Sequence, residues 1–414
     1  MKTLPRIGLL LVGILLGSGA RLGAQTFDLG SNGSYGAINL TSSQSVTLQV
    51  PPDGVFHCTT ITLANSAELR FAKNAANTPV YLLATGDVSL GSSATIYVNG
   101  TSASGIAAGI GGPGGFDGGQ GGESPGDGQG PGGGKIGWAD TSTSYGTKPA
   151  NVEYRGSAGY AYRPTGSAQA LTAGNSYGNA LLMPLIGGSG GGGGKASTLQ
   201  YAYGGGGGGG ALLIASNTRI VFTSNSTLNA TGGSGSSGQH GNGSGGSVRL
   251  VAPTIQGTFR LYVWPGTSQN SATYGSYGRT RIDSLNIANL TITDEGGASP
   301  KSRDFVTYGA NMTVFPPNFP GLRITQVGTQ VIPGTQVAPV FVLFPAGSPA
   351  TQTVTVSCTN FNSTVPLRAV VTPQSGSTQT FDFTVDNTAG GTTSGSVQVQ
   401  IPAGVASRVD VWTR

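Results

Sequence analysis

This chain has little charge. Asp, Glu, Lys and Arg make up 9% of its 414 residues, against about 25% in ordinary soluble domains. Its 21 basic and 16 acidic residues give a formal charge of +5, with no clustered basic face of the kind that nucleic acid requires. Histidine occurs only at His57 and His240, and cysteine only at Cys58 and Cys358. His57 next to Cys58 is a poor zinc site without further ligands, and two cysteines cannot make a disulfide-dense scaffold. In an exported chain the two cysteines can form one bridge closing a very long loop or remain separate buried thiols in two domains, and the sequence leaves both open. After the first residues there is no apolar run long enough for a membrane helix. Nor does any segment show the 3.6-residue period of an amphipathic helix.

The start of the chain reads as an export signal. Lys2 and Arg6 precede the apolar run IGLLLVGILL at 7–16, and Leu22, Gly23 and Ala24 end in small residues. That order is a secretory signal peptide spanning 1–24, with the protein expected outside the cell, on its outer surface or in the periplasm. Removing Lys2, Arg6 and Arg21 leaves 18 basic residues against 16 acidic, a formal charge of +2. The basicity thus lies largely in the signal, and no membrane span is expected after cleavage.

Glycine is abundant: 73 of the 414 residues, well over twice the usual share of about 7%. It is concentrated between 106 and 246, in GIGGPGGFDGGQGGESPGDGQGPGGG at 109–134 and in nearly pure runs at 187–194 and 204–210. A further tract at 232–246 mixes it with Ser, Asn, Gln and His240. Such segments either stay flexible or pack backbone against backbone. Gly112, Gly115, Gly118 and Gly121 recur at every third residue, the period of an extended left-handed helix. Neighbouring extended strands could then approach closely and bond through the main chain alone, as a polyglycine II bundle. Collagen is excluded because the period breaks at Ser124 and proline is sparse; a low-complexity linker is the rival reading.

Outside the tracts, apolar residues fall in short runs. YLLATGDVSLGSSATIYVNGT at 81–101, LLIASNTRIVFTSNSTLNATG at 212–232 and VRLVAPTIQGTFRLYVWPGT at 248–267 look like copies of one unit with three short strands. AINLTSSQSVTLQV at 37–50 and ITLANSAELRFA at 61–72 fit the same style. A repeat of about 20 residues with several strands is the signature of a parallel β-helix, in which stacked rungs bury one continuous core. The glycine tracts follow Gly100 and Gly232, equivalent points of two rungs, so they are expected to leave from one corner. RTRIDSLNIANLTITD at 279–294 is expected to close the helix.

Composition shifts at PPNFP, 316–320. From 322 onward seven alternating runs follow, LRITQV, VFVLFPA, QTVTVSCT, LRAVVTP, TFDFTVD, SVQVQIPA and RVDVWT. Their spacing predicts an immunoglobulin-like or fibronectin-like β-sandwich. The organisation read from sequence is therefore all-β: signal peptide 1–24, parallel β-helix 25–300 with a glycine-rich insert at 102–210 and a second glycine-rich loop at 232–246, linker 301–321, and sandwich 322–414.

Motifs that could carry catalysis dissolve on inspection. Gly194 and Lys195 resemble the end of a phosphate-binding loop, but Ala196 and Ser189 stand where that loop needs Ser or Thr and Gly. Gly187, Ser189 and Gly191 satisfy G-x-S-x-G without a strand-to-helix elbow. GGPGGFD at 111–117 approaches a calcium-binding nonapeptide, and Asp117, Glu123 and Asp127 could gather around one ion or simply keep the tract soluble. No cofactor is implied. The stretch 138–203, rich in Tyr, Ser, Gly and Asn, has the composition of adaptable recognition loops. Tyr145, Tyr154, Tyr160, Tyr162, Tyr177, Tyr201 and Tyr203 are the candidate ligand-binding residues, the other reading being that they cap the glycine bundle.

Taken together, the signal, the YLLATGDVSL and LLIASNTRIVF rungs, the GGPGGFDGGQGG insert and the final sandwich resemble the glycine-rich exported parallel β-helix proteins of Gram-negative bacteria. The glycine tracts with interleaved tyrosine loops are similar in layout to the polyglycine II tips of phage tail-fibre adhesins. This resemblance implies a rigid glycine bundle whose loops bind a receptor. The expected function is a non-enzymatic surface or extracellular-matrix protein, adhesive, with surface glycans or other cell-surface polymers as partners. Two alternatives stand beside it. A carbohydrate-active β-helix enzyme, a lyase or hydrolase, needs a clustered carboxylate pair; an ice-binding protein needs a flat, regular Thr face.

Overall fold

The computed structural model of the chain describes residues 27–138, 177–195, 203–236, 241–267, 275–293, 305–334 and 337–414. These residues are all-β, with no α-helix and no helix long and apolar enough to cross a membrane. The first seven strands are β1 (Gly36–Leu40), β2 (Ser45–Gln49), β3 (Val55–Leu63), β4 (Glu68–Ala72), β5 (Val80–Ala84), β6 (Val88–Leu90) and β7 (Thr95–Tyr97). Two short strands, β8 (Gly137–Trp138) and β9 (Gly194–Lys195), pair within the glycine-rich region. Then follow β10 (Ala211–Ser216), β11 (Arg219–Asn229), β12 (Ser247–Tyr262), β13 (Arg279–Asn286), β14 (Leu290–Thr293) and β15 (Val306–Gly309).

Thirteen of these strands join into one large sheet, and its pairings are parallel. They form three ladders. The first aligns Phe56, Leu82, Ile214, Leu250 and Ile282 across β3, β5, β10, β12 and β13. The second aligns Ile61, Val88, Ile220 and Ile255, and the third Leu69, Ile96, Leu228 and Leu261. All of these side chains belong to one buried cluster. The units read as copies at 81–101, 212–232 and 248–267 therefore do lie in mutual register. Tyr81 pairs directly with Leu213, so the entire first glycine-rich stretch is inserted between two neighbouring strands.

The corner between the second and third ladders explains the polar interruptions in each unit. Ser43, Ser66, Ser93 and Asn225 all adopt positive φ, between 59° and 66°. Short polar residues reach this left-handed region at least cost because they bond locally. Successive corners are tied by the main chain: the Ser43 N–H donates to the Asn65 carbonyl, and Ser66 N–H to that of Ser92.

Outside the first ladder lies a second apolar cluster containing Leu29, Tyr81, Leu83, Leu185, Leu213, Val251 and Val314. Segment 305–314 is held there by a buried charge network. Arg249 and Asp283, both 0% exposed, pair at 3.0 Å; Arg281 donates to the other Asp283 oxygen at 2.7 Å, as does the Asn311 N–H at 2.9 Å. Arg249 also donates to the Asn311 and Thr313 carbonyls. Of the 301–321 stretch, expected as a linker, residues 305–314 contain β15 and pack on the parallel sheet. Asp283 is the centre of this network.

The C-terminal strands are β16 (Gly321–Val327), β17 (Gln330–Val331), β18 (Thr351–Thr359), β19 (Thr364–Pro373), β20 (Gln379–Asp386), β21 (Thr392–Gln400) and β22 (Ser407–Thr413). They form two antiparallel sheets, β17-β16-β18-β21 and β20-β19-β22. Val354, Val356 and Val399 of one and Leu367, Ala369 and Val371 of the other share a single core. Six of the seven expected runs are strands. The seventh, VFVLFPA at 340–346, is not: its Phe341 and Leu343 are 90% and 87% exposed. β16 already has β17 and β18 on its two edges, and Pro339 and Pro345 lack the N–H a ladder needs.

The two cysteines do not form a bridge. Both are free and buried, Cys58 in the core of the parallel sheet and Cys358 between the antiparallel sheets. Burial pushes the Cys58 thiol up to about 12 and raises Cys358 as well. This settles the alternative left open by the sequence in favour of two separate thiols.

Candidate functional site

The glycine tracts build one backbone-bonded slab. The tract 204–210 lies in its middle, and its amides turn to three neighbours in strict rotation. Gly204, Gly207 and Gly210 donate to the carbonyls of Gly105, Thr101 and Val98. Gly205 and Gly208 donate to Gly119 and Phe116, while Gly206 and Gly209 donate to Gly241 and Ser244. The tract 187–194 runs along the same segment, with the N–H groups of Gly188, Gly191 and Gly194 donating to the carbonyls of Gly209, Gly206 and Tyr203. Every third amide thus faces one way, and glycine is required by space. A Cβ on Gly118 would run into the Gly205 carbonyl, and one on Gly208 into that of Gly188. The two tracts leave from one corner, as expected: the Gly100 N–H bonds to Thr231, and Gly232 N–H to Trp264.

Where the slab meets the three-stranded sheet there is a crevice of about 340 Å³, lined by Gln120, Asp127, Gln129, Thr372, Thr378 and Arg408 beside Asp117. Asp117 accepts from Lys73 at 3.1 Å, from Arg408 at 2.7 Å and from the Gly111 N–H at 2.8 Å. Burial opposes its ionisation, but Lys73, Arg408 and the Gly111 amide outweigh it and hold the carboxyl below its ordinary range. Arg408 also donates to Asp410 at 2.7 Å and to Gln129 at 2.9 Å. Asp410 keeps a third of its side chain exposed, yet surrounding protein atoms impair its hydration and raise its pKa against the pull of Arg408. Burial also works against the charge of Arg408, but Asp410 and Asp117 prevail and hold it above its ordinary value. Phe116 packs edge-on against Trp412 beside these pairs, at 5.8 Å between ring centres.

The three carboxylates weighed as weak candidates for an ion site, Asp117, Glu123 and Asp127, are dispersed. Asp117 is committed to two cations; Asp127 pairs with Lys135 at 2.7 Å and accepts the Ile136 N–H; Glu123 is exposed. Among the described residues, no three His, Cys, Asp or Glu side chains stand together as a metal site would need. Asp87, like Asp283, has partners: Arg219 at 2.7 Å and Thr218 at 2.6 Å. Ser189 of the G-x-S-x-G stretch is fully buried, accepting the Gly132 N–H and donating to the Tyr177 hydroxyl.

Of the candidate tyrosines, Tyr145, Tyr154, Tyr160, Tyr162 and Tyr201 lie outside the described residues. Tyr177 is half-buried, and its hydroxyl donates to the Gly187 carbonyl at 2.6 Å, so it clamps the slab's edge. Tyr203 is half-buried, and its carbonyl accepts the Gly194 amide. Sequence reasoning missed Lys73, Gln129, Arg408 and Asp410. Nothing local marks them, since Arg408 and Asp117 are 291 positions apart.

Comparison of the chain with protein-family models, with curated proteins and with solved structures gives no match.

Proposed function

We propose that this is a non-enzymatic, exported surface or extracellular-matrix protein with an adhesive role. In this reading the three parallel ladders form a β-helix, the glycine slab is a polyglycine II bundle, and the two C-terminal sheets are an immunoglobulin-like sandwich. One observation carries it. The three-residue rotation of amide donors along 204–210 is what a threefold extended helix presents to its neighbours. Such a bundle offers no side chains for chemistry, but it makes a stiff platform for the chain that emerges from it. Trp138 and Tyr177, the described residues on either side of 139–176, are held at this platform, and the sequence between them carries four of the candidate tyrosines, which supports a role in recognition.

The enzymatic alternative has one observation in its favour: Asp117 and Asp410 are displaced in opposite directions beside one crevice, as an acid and base would be. Arg408 occupies both, however, and acts here as a clamp between slab and sheet. Ice binding has less support. The row Ser45, Glu68, Thr95, Thr227, Arg260 and Thr293 is interrupted by charge, and its Thr95 and Thr227 are buried.

The test is whole-cell and glycan binding by the purified chain beside a version lacking 139–176. Binding by the intact chain, weakened in the shortened one while amide protection of 204–210 is kept, is the expected result. An intact chain that binds no cell surface overturns the adhesive reading.

A further inference from the structure

One stretch beside the C-terminal sheets is apolar, extended and unpaired. Between Ile324 and Leu367 the chain carries no Asp, Glu, Lys or Arg, and PVFVLFP at 339–345 lies within this span. The segment runs from Pro339 to Pro345 without a turn or bend. Its side chains alternate: Val342 and Phe344 pack on the core shared by the two sheets, while Phe341 and Leu343 are 90% and 87% exposed. Among the described residues, no amide or carbonyl of 338–344 has a hydrogen-bond partner.

The segment is nonetheless held in place. The Val337 carbonyl accepts the Ala75 N–H at 2.9 Å, and the Phe344 ring lies so close to Gly328 that a Cβ there would meet it at 2.8 Å. It is an extended run set in position without a ladder, and little ordering is needed for it to gain one. The free strand edges of the two sheets are blunted by other means. β17 is two residues long. β20 carries Asp382 and Asp386, and β22 carries Arg408 and Asp410; charge on an edge discourages pairing. β21 exposes Thr392, Ser394, Ser396, Gln398 and Gln400 in place of apolar side chains. Segment 340–344 has none of these safeguards.

We infer that residues 340–344 form the contact between two copies of this chain, the two segments pairing antiparallel about a twofold axis at Val342. The inference is independent of the adhesive reading. The segment is complementary to itself. Pairing about Val342 sets Phe341 of each copy opposite Leu343 of the other, and Val340 opposite Phe344. Cross-strand pairs of an aromatic with an aliphatic side chain are favourable, and the exposed side chains of both copies gather on one face. The absence of charge over 324–367 removes the like-charge repulsion that two identical surfaces otherwise meet, and it leaves a charged partner nothing to recognise. The exposed side chains of 337–345 present on the order of 500 Å² of apolar surface, so two copies bury about 1,000 Å², where specific interfaces begin. Finally, Pro339 and Pro345 lack the N–H a ladder needs, so pairing stops after five residues and closes as a pair instead of growing into a stack.

The experiment follows the purified chain across a concentration series, by analytical ultracentrifugation for mass and by amide exchange for main-chain pairing. Phe341→Asp and Leu343→Asp, both at exposed side chains, are compared with Leu285→Asp on β13, where the leucine is 69% exposed. Phosphatidylcholine vesicles serve as a competing apolar surface. The expected result is a dimer that dissociates at roughly 1–100 μM, with the amides of 340–344 protected in the dimer and free in the monomer. Either segment variant should weaken the dimer about tenfold or more, and Leu285→Asp should leave it unchanged. Protection of 340–344 that rises with concentration is a readout that misfolding of a variant does not imitate. A chain that stays monomeric throughout, a dimer that survives both segment variants, or a dimer whose 340–344 amides still exchange freely overturns the inference. So does a monomer whose binding to the vesicles is lost in Phe341→Asp, which assigns the segment to a lipid surface instead.

Discussion

Replacing Gly206 with alanine tests the glycine slab at its centre. A Cβ at this position would collide with the Gly233 carbonyl and approach Ser234. Gly206 does not have positive φ, so the new side chain meets no intrinsic backbone penalty and the destabilising part of the effect comes from crowding. To admit a methyl group, the segment containing Gly233 must withdraw. That withdrawal loosens the Gly233 N–H bond to Gly207 at 2.7 Å, the Gly243 N–H bond to Gly233 at 2.9 Å and the Gly206 N–H bond to Gly241 at 2.9 Å. Each main-chain bond contributes about 1 kcal/mol net, and forced overpacking adds about 1–3 kcal/mol. Against this, alanine lowers the entropy of the unfolded chain by about 0.4–1 kcal/mol. The expected destabilisation is about 3–5 kcal/mol. Amide exchange in 204–210 reads it directly and should accelerate about a hundredfold or more. Gly321→Ala, whose Cβ would find only Thr359 at 3.9 Å, should change stability by less than about 0.5 kcal/mol. If Gly206→Ala exchanges like the parent protein, the tracts do not pack backbone to backbone and the argument for a platform fails.

Two further outcomes follow from the charge networks. Asp283→Ala would leave Arg249 buried with no counter-ion, and chemical denaturation should report a loss of about 3–5 kcal/mol. Asp117 has a depressed pKa in the folded protein, so its stabilising effect is complete above the ordinary carboxylate pKa of about 4 and fades as pH falls through the lower folded value. Thermal unfolding between pH 2 and 6 should therefore show a shallower acid-side decline in Asp117→Asn than in the parent chain, and identical slopes would refute its role at the slab–sheet junction.

Much of the strand content could be read locally. LRITQV, QTVTVSCT and TFDFTVD alternate with period two whatever they pair with, because successive side chains of a strand face opposite sides. The corners at Ser66 and Ser93 were legible as polar breaks, though not their common left-handed conformation. VFVLFPA has the same alternation and forms no strand: Pro339 and Pro345 flank it without the N–H a ladder needs, and alternation alone does not supply a pairing partner. The crevice was the least legible part. Glu123 and Asp127 were visible as carboxylates near Asp117, but the groups that surround Asp117 come from Lys73 and Arg408, far away along the chain.

Composition and period alone determined that this protein is all-β, that its acids and bases are few, and that its glycine tracts carry a three-residue repeat. Those are local properties of each segment. Only the tertiary structure decided which carbonyl each glycine amide would face and that Cys58 and Cys358 would lie in different cores. Each of these depends on register between distant strands, and register is set by the packing of the whole sheet.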